Sequence, residues 1–356
     1  MKSIAIVSPS LEAGGSEKVL SLIANYFAEE KSVNVFLILF ARKQIFYPLY
    51  DKVKVIFIGE GYETAPKTLF YIKILLRLRS IINNIQPDVV LSFGGRYNWL
   101  SILSALSLKK RVIIGERSRP GISYGFLLDF LNKLLYPLAY TLVCQTRIAA
   151  SIYEKKYRLK NIAVIPNPIK RMDCSNQEKK KIILNVGRFI QSKQQAKLIN
   201  IFNRLNSVDW ELWLVGSGPE LERCKKIAAQ SPNPNAIMFL GNTKNVEQLY
   251  CKSAIFAFTS ASEGFPNALG EAMAAGCACI SFDCNAGPSD LIDHEVSGIL
   301  VELGNDSDYT SKLKELIEQA DKRKFLGLNA RERIKKFELS QVLEEFYSVC
   351  YQTSKS

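Results

Sequence analysis

Seven residues separate Glu263 from Glu271 in the run SEGFPNALGEAMAAGC, residues 262–277. Pro266 and Asn267 mark a change from loop to helix, with Asn267 read as the N-cap, and Ala268 to Ala275 is a strong helix former. The first free amides of that helix, near Ala268 and Leu269, make an anion site suited to phosphate. The two carboxylates flank it and can accept hydrogen bonds from hydroxyls on either side. A solvent-exposed helix start with two surface glutamates is the bland alternative, and Gly264, Pro266 and Ala274-Ala275-Gly276 weigh against it.

A second run, NVGRFIQSK (185–193), leaves the end of an apolar segment. Gly187 permits close backbone approach, and Arg188 and Lys193 supply two cations that would neutralise a diphosphate. Alone this is a solvated basic loop, but preceding the paired glutamates it gains weight. A third run, SLEAGGSEK (10–18), sets Gly14 and Gly15 between a strand and a helix, where backbone N–H groups can face a phosphate. It carries neither a GxGxxG fingerprint nor a Walker lysine pattern.

The elements that must position these residues come from hydrophobic patterning. Short apolar runs rich in Val, Ile and Phe predict strands at 3–7, 34–40, 54–58, 89–93, 111–115, 140–144 and 161–165. Amphipathic stretches such as 17–30 and 69–84 lie between them. A polar, charged segment at 170–181 reads as a linker, and the pattern restarts with strands at 182–186, 210–215, 237–240, 255–259, 279–282 and 298–301. Helices are expected at 219–229, 267–275 and 308–319. The implied fold class is α/β, two Rossmann-like domains in tandem whose parallel sheets face across a cleft, as 356 residues allow. The weakly charged stretch 122–144 holds Asp129 and Lys133 and is broken by Pro137. It reads as a buried or membrane-facing helix followed by a strand, not a spanning helix.

Composition excludes several chemistries. His294 is the sole histidine, so a multi-histidine zinc site is ruled out, as is a His-activated nucleophile unless His294 supplies the base. The eight cysteines are scattered without a CxxC pair, and no export signal precedes them. The expectation is reduced, buried thiols and a cytoplasmic protein. Residues 1–172 hold 25 Lys/Arg against 11 Asp/Glu, whereas residues 173–356 are near balance at 22 against 23. The basic half suits an anionic partner: a membrane leaflet, a phosphorylated substrate or nucleic acid.

The ordered set Gly14-Gly15, Pro166-Asn167-Pro168, Gly187-Arg188 with Lys193, Gly216-Ser217-Gly218-Pro219-Glu220, Gly241, Glu263 with Glu271 and Gly298 resembles glycosyltransferase family 4 over nearly the whole chain. That resemblance implies the GT-B fold, retaining transfer, and three parts. Residues 1–172 form an N-terminal domain facing acceptor and membrane, 173–340 bind the nucleotide sugar, and 341–356 form a helix returning to the first domain. It implies that Arg188 and Lys193 bind the donor diphosphate, that Glu271 holds the ribose and that Glu263 contacts the donor sugar. Gly15 and Gly264, Phe265, Pro266, Asn267, Ala268 and Leu269 complete the donor site, through backbone amides near Phe265 to Leu269 and at Gly15, with Gly241, Asn242 and Val246 along the base. The catalytic set is thus Arg188, Lys193 and Glu263. Many family members carry an N-domain histidine near the reacting sugar; this chain has GERSRP (115–120) there, which makes Glu116 and Arg117 acceptor-side candidates. His294 reads as structural.

By the same resemblance no cofactor or divalent metal is expected. The donor is a UDP-sugar, with GDP-mannose the main alternative. The acceptor is a saccharide on polyprenyl diphosphate, as in O-antigen, capsule or lipopolysaccharide assembly. A GT-B nucleotide-sugar isomerase of the 2-epimerase type is the rival activity. A nucleic-acid-binding protein is disfavoured, since no recognised module appears and no nucleic-acid partner is expected. The enzyme is expected to attach peripherally to the inner face of the cell membrane, with Lys67, Lys73, Arg77 and Arg79 of KTLFYIKILLRLR and the Lys109-Lys110-Arg111 cluster meeting lipid phosphates.

Overall fold

The computed structural model describes residues 1–12, 15–59, 66–175, 177–205, 209–243, 245–285 and 287–352. Gly14, the Lys67 side chain and residues 353–356 lie outside the described set. The chain divides into two compact units, Met1–Pro168 with Ser340–Ser356, and Ile169–Leu339.

In the first unit the strands are β1 (Ser3–Ser8), β2 (Asn34–Leu39), β3 (Lys54–Phe57), β4 (Val89–Phe93), β5 (Arg111–Glu116), β6 (Thr141–Cys144) and β7 (Ile162–Val164). They form one parallel sheet in the order β3-β2-β1-β4-β5-β6-β7. The helices are α1 (Gly15–Glu29), α2 (Lys67–Ile85), α3 (Asn98–Ala105), α4 (Phe126–Leu135) and α5 (Arg147–Tyr157). β1 and β4 are buried almost end to end, which explains their unbroken apolar sequences: helices cover both faces of a parallel sheet. Val19, Ile23 and Phe27 of α1 pack on one face, while Ile74 and Leu78 of α2 and Tyr153 of α5 pack on the other.

The second unit contains β8 (Lys180–Val186), β9 (Glu211–Val215), β10 (Ile237–Gly241), β11 (Ser253–Phe258), β12 (Ala278–Asp283) and β13 (Ile299–Glu302). These too are all parallel, in the order β10-β9-β8-β11-β12-β13. Around them lie α6 (Gln195–Arg204), α7 (Leu221–Ala229), α8 (Val246–Lys252), α9 (Asn267–Ala274), α10 (Pro288–Leu291), α11 (Asp306–Glu318) and α12 (Ala320–Ile334). α13 (Leu339–Tyr351) closes the chain and joins the first unit, where Val342, Leu343 and Phe346 enter the α1-side core.

Two expectations are corrected. The charged segment after Lys170 is not a free linker: Met172 and Cys174 are buried in the second unit's core, and β8 already begins at Lys180. Exposed and buried side chains alternate from Arg171 to Ser175, so this is an extended, half-buried stretch whose charges face out. The cysteines are not all reduced. Cys174 and Cys251 are disulfide-bonded, with Cα atoms 5.2 Å apart, because that stretch crosses the end of α8; the other six thiols are free and buried. The stretch 122–144 does hold a helix and then a strand, and of the two forms expected for the helix it is not the buried one. Phe126 (90% exposed), Leu127, Phe130 and Leu134 line one outward face, while Asn132 and Leu135 turn inward.

Candidate active site

The second unit brings the motif residues to the carboxyl ends of β8, β9, β10 and β11, the edge where doubly wound sheets take ligands. β8 ends at Val186, and Gly187 and Arg188 follow directly. The Arg188 side chain is exposed and has no hydrogen-bond or ion-pair partner among the described residues, so its charge is available. Its carbonyl is held by Gln195 Nε2 at 3.0 Å. Lys193 ends a short helical turn that is fastened to the end of β11. Thr259 Oγ1 donates to the Lys193 carbonyl at 3.0 Å, and the Ala261 amide donates to the Ser192 carbonyl at 2.7 Å. Sequence reasoning missed these two clamps. Their only trace was polar residues at a strand's end, where Asn185 likewise ties β8 to the Ala257 carbonyl at 2.8 Å.

Glu263, in the loop before α9, forms an ion pair with Lys193, its side chain only 11% exposed. Two residues assigned separately to the donor therefore hold each other. α9 starts at Asn267, but Asn267 is not its N-cap: Pro266 takes that place, and the Asn267 amide bonds the Phe265 carbonyl at 3.0 Å. Pro266 offers no side-chain cap, and a helix start of this kind suits an anion. Gly264, Phe265, Ala268 and Leu269 surround this turn, with Phe265 and Leu269 buried beneath it. Glu271 lies on the next turn, its Oε2 accepting from the Tyr250 hydroxyl at 3.0 Å.

Gly241 closes β10 with φ +63°, and its carbonyl accepts from the Gly216 amide at 2.8 Å. Gly216 requires glycine: at φ +132°, a Cβ would lie 2.0 Å from the Gly187 carbonyl oxygen. Asn242 Nδ2 donates to Ser217 Oγ at 3.0 Å, and Val246 begins α8. Thus Arg188, Lys193, Gly241, Asn242, Val246, Glu263, Glu271 and the start of α9 share one edge of one sheet.

The remaining candidates belong to the first unit. Gly15 is the first residue of α1, after β1. Glu116 ends β5 and is 2% exposed. The Tyr136 hydroxyl donates to its Oε1 and the Tyr124 hydroxyl to its Oε2, the latter at 3.1 Å. Burial outweighs both tyrosines and pushes the carboxyl up to about 7. Arg117 packs its guanidinium over Phe93 and Phe346 (4.5 and 5.2 Å to the ring centroids) and donates through Nη1 to Asn167 Oδ1. Its Nε and Nη2 are buried without a hydrogen-bond partner among the described residues, and burial pushes its pKa down. His294 is structural: its Nδ1 accepts from the Leu300 amide at 3.0 Å. The chain's Asp306-Ser307-Asp308 run opens α11, where Asp306 pairs with Lys197 at 2.9 Å.

Two family models match in tandem, Glycosyltransferase Family 4 over residues 13–171 and Glycosyl transferases group 1 over residues 168–333. The chain belongs to the family 4 glycosyltransferases. It is 27% identical to the Campylobacter jejuni GalNAc-alpha-(1->4)-GalNAc-alpha-(1->3)-diNAcBac-PP-undecaprenol alpha-1,4-N-acetyl-D-galactosaminyltransferase, over 97% of each chain. It is 25% identical to the Erwinia amylovora amylovoran biosynthesis glycosyltransferase AmsD, over 91% of this chain and 92% of that one. A crystal structure of a glycosyltransferase from Rickettsia africae ESF-5 superposes with a TM-score of 0.85 at 19% identity, covering 99% of both chains. The GT-B fold is shared with that structure.

The basic stretch of α2 leaves Arg77 exposed and Arg79 partly so, with Leu69, Ile72 and Leu76 exposed beside them, and both arginines also bond nearby carbonyls. Arg77 Nη1 donates to the Ile58 carbonyl at 2.9 Å, and Arg79 donates to the carbonyls of Ser104 and Leu106 and to Ser107 Oγ. The carbonyls at the end of α3 lack intrahelical partners, and Arg79 supplies them. Arg111 packs over the Tyr140 ring.

Proposed function

We propose that this glycosyltransferase moves a hexose or N-acetylhexosamine, with retention of configuration, from a UDP-sugar to a saccharide carried on polyprenyl diphosphate. The observation that carries the reading is the gathering of Arg188, Lys193, Glu263, Glu271 and the start of α9 at one edge of one sheet. Two cations and a helix N-terminus suit a diphosphate, and two carboxylates suit hydroxyls on either side of it. The leaving diphosphate takes the acceptor proton on the face it departs from, and the protein supplies position and charge stabilisation without a resident metal. Lys193 exchanges its Glu263 partner for phosphate as the donor enters, freeing Glu263 to contact the sugar. Glu116 and Arg117 serve the acceptor side. The acceptor class draws support from the undecaprenol-linked substrate in the C. jejuni relative's name.

Work on such an acceptor calls for peripheral attachment at the inner, cytoplasmic face of the membrane, and no described helix is long and apolar enough to cross one. We assign the attachment chiefly to α4, with α2 adding its exposed Leu69, Ile72 and Leu76. The outward face of α4 exposes Phe126, Leu127, Phe130 and Leu134 with Lys133 at the margin. Its one acid, Asp129, is engaged by Ser123 Oγ and the Tyr124 amide. Incubation with UDP- and GDP-linked hexoses and N-acetylhexosamines, plus a polyprenyl-diphosphate saccharide, tests the activity by HPLC and NMR of the product. An α-linked product from an α-linked donor is expected. Epimerised nucleotide sugar without transfer, or a β-linked product, overturns the reading.

A further inference from the structure

The second unit holds a buried tyrosine whose hydroxyl donates to a donor-site carboxylate. Tyr250, in the last turn of α8, is fully buried, its ring 5.8 Å from that of Phe256. A buried phenol hydroxyl needs a partner, and here it donates to Glu271 Oε2 at 3.0 Å. Burial and the adjacent carboxylate raise its pKa well above the ordinary value, so it remains a donor across the working pH range.

The backbone beneath the ring is held from three directions. The Tyr250 carbonyl accepts from Lys179 Nζ at 2.9 Å and from Cys277 Sγ at 3.2 Å. The next residue, Cys251, is covalently joined to Cys174. The hydroxyl is therefore a fixed point, and the glutamate it contacts belongs to a different helix, α9. Glutamate is a flexible side chain whose ordering costs free energy at the moment it binds a ligand. A bond made before the ligand arrives removes part of that cost.

We infer that Tyr250 is a positioning residue: it holds the Glu271 carboxylate in the orientation that meets the vicinal hydroxyls of the donor's ribose, and so sets the preference for a ribonucleotide. The inference rests on the reading of Glu271 as the ribose ligand. Tyr250 itself lies beneath the site and acts through Glu271.

The test is Tyr250→Phe, which keeps the ring and removes one oxygen, checked for fold by circular dichroism and thermal melting. Calorimetry would measure binding of UDP and of 2′,3′-dideoxy-UDP, with the corresponding GDP pair in parallel. Wild type should prefer the ribonucleotide. Y250F should lose about tenfold in affinity for it and little for the dideoxy form, so the preference shrinks. In turnover, the donor KM should rise while kcat and the acceptor KM hold. In an E271Q background the Y250F substitution should change the preference no further. Equal weakening of both nucleotides, the mark of a merely structural residue, would overturn the inference, as would an unchanged preference. An undiminished preference in E271Q alone would instead overturn the assignment of Glu271 to the ribose. A wild type that binds neither pair, or does not discriminate within either, removes both.

Discussion

Glu116 gives the structure a measurable pH signature. It is 2% exposed, and burial raises its carboxyl from an ordinary 4.5 to about 7 against two tyrosine hydrogen bonds. The unfolded chain releases this proton near 4.5, whereas the folded protein keeps it until about 7. Between those values the folded state binds more protons, so the group's contribution to stability is complete below about 4.5 and declines as pH rises to about 7. At about 1.4 kcal/mol per pH unit, the total is on the order of 3 kcal/mol. Glu116→Gln is neutral throughout and escapes that decline. Its stability relative to wild type should therefore rise by on the order of 3 kcal/mol between pH 4.5 and 8, roughly 10 °C in the melting of a unit this size. The altered bond to Tyr124 adds an offset, but one independent of pH. Calorimetric melting of both proteins across that range reads the slope directly, since every other carboxylate cancels in the difference. A gap that stays flat, or narrows as pH rises, would show that Glu116 ionises as it does in water and that the tyrosine cage does not bury it.

The donor-site assignments predict separable kinetics. Arg188→Ala and Lys193→Ala should each lower kcat/KM on the order of 10²-fold with the fold retained, and wild-type turnover in both would remove the diphosphate assignment. Glu271→Gln should raise the donor KM with little effect on acceptor binding, whereas Glu263→Gln should lower kcat and relax sugar choice; matching profiles would contradict separate roles. For the membrane, the double variant Phe126→Ser with Phe130→Ser should reduce co-sedimentation with phosphatidylglycerol vesicles at least tenfold, and Arg77→Gln should not. Undiminished binding of the double variant would return the docking surface to another element, and no binding by wild type would end the attachment reading.

What the sequence showed of the fold follows from the burial of parallel strands. Strands covered on both faces are apolar throughout, so 89–93 is recoverable from composition alone and coincides with β4. The failures share a different character. Met172 and Cys174 lie in a run of charges, and their burial depends on a surface that only the folded second unit provides. The Cys174–Cys251 pairing spans 77 residues, and no spacing rule selects it from eight cysteines. The carbonyl bonds of the α2 arginines were likewise invisible, because their partners come from distant segments, at Ile58 and at the end of α3.

The same distinction separates the parts of the site. Arg188, Lys193, Glu263 and Glu271 were legible because their types announce charge and their spacing follows strand ends and a helix start. The structure adds what fixes those charges in place, and it does so with residues of unremarkable type. Thr259 and Ala261 hold the Lys193 turn, Gly216 permits the close approach of Gly187, and Tyr250 bonds Glu271. Each joins segments 21 to 69 residues apart, so each becomes visible only once the sheet has brought those segments together. A charged ligand set can be read from spacing, but its rigidity cannot. It is rigidity that decides whether Lys193 and Glu263 meet a donor in one arrangement or in several, which is why the discriminating variants lie as much in the supporting contacts as in the charges themselves.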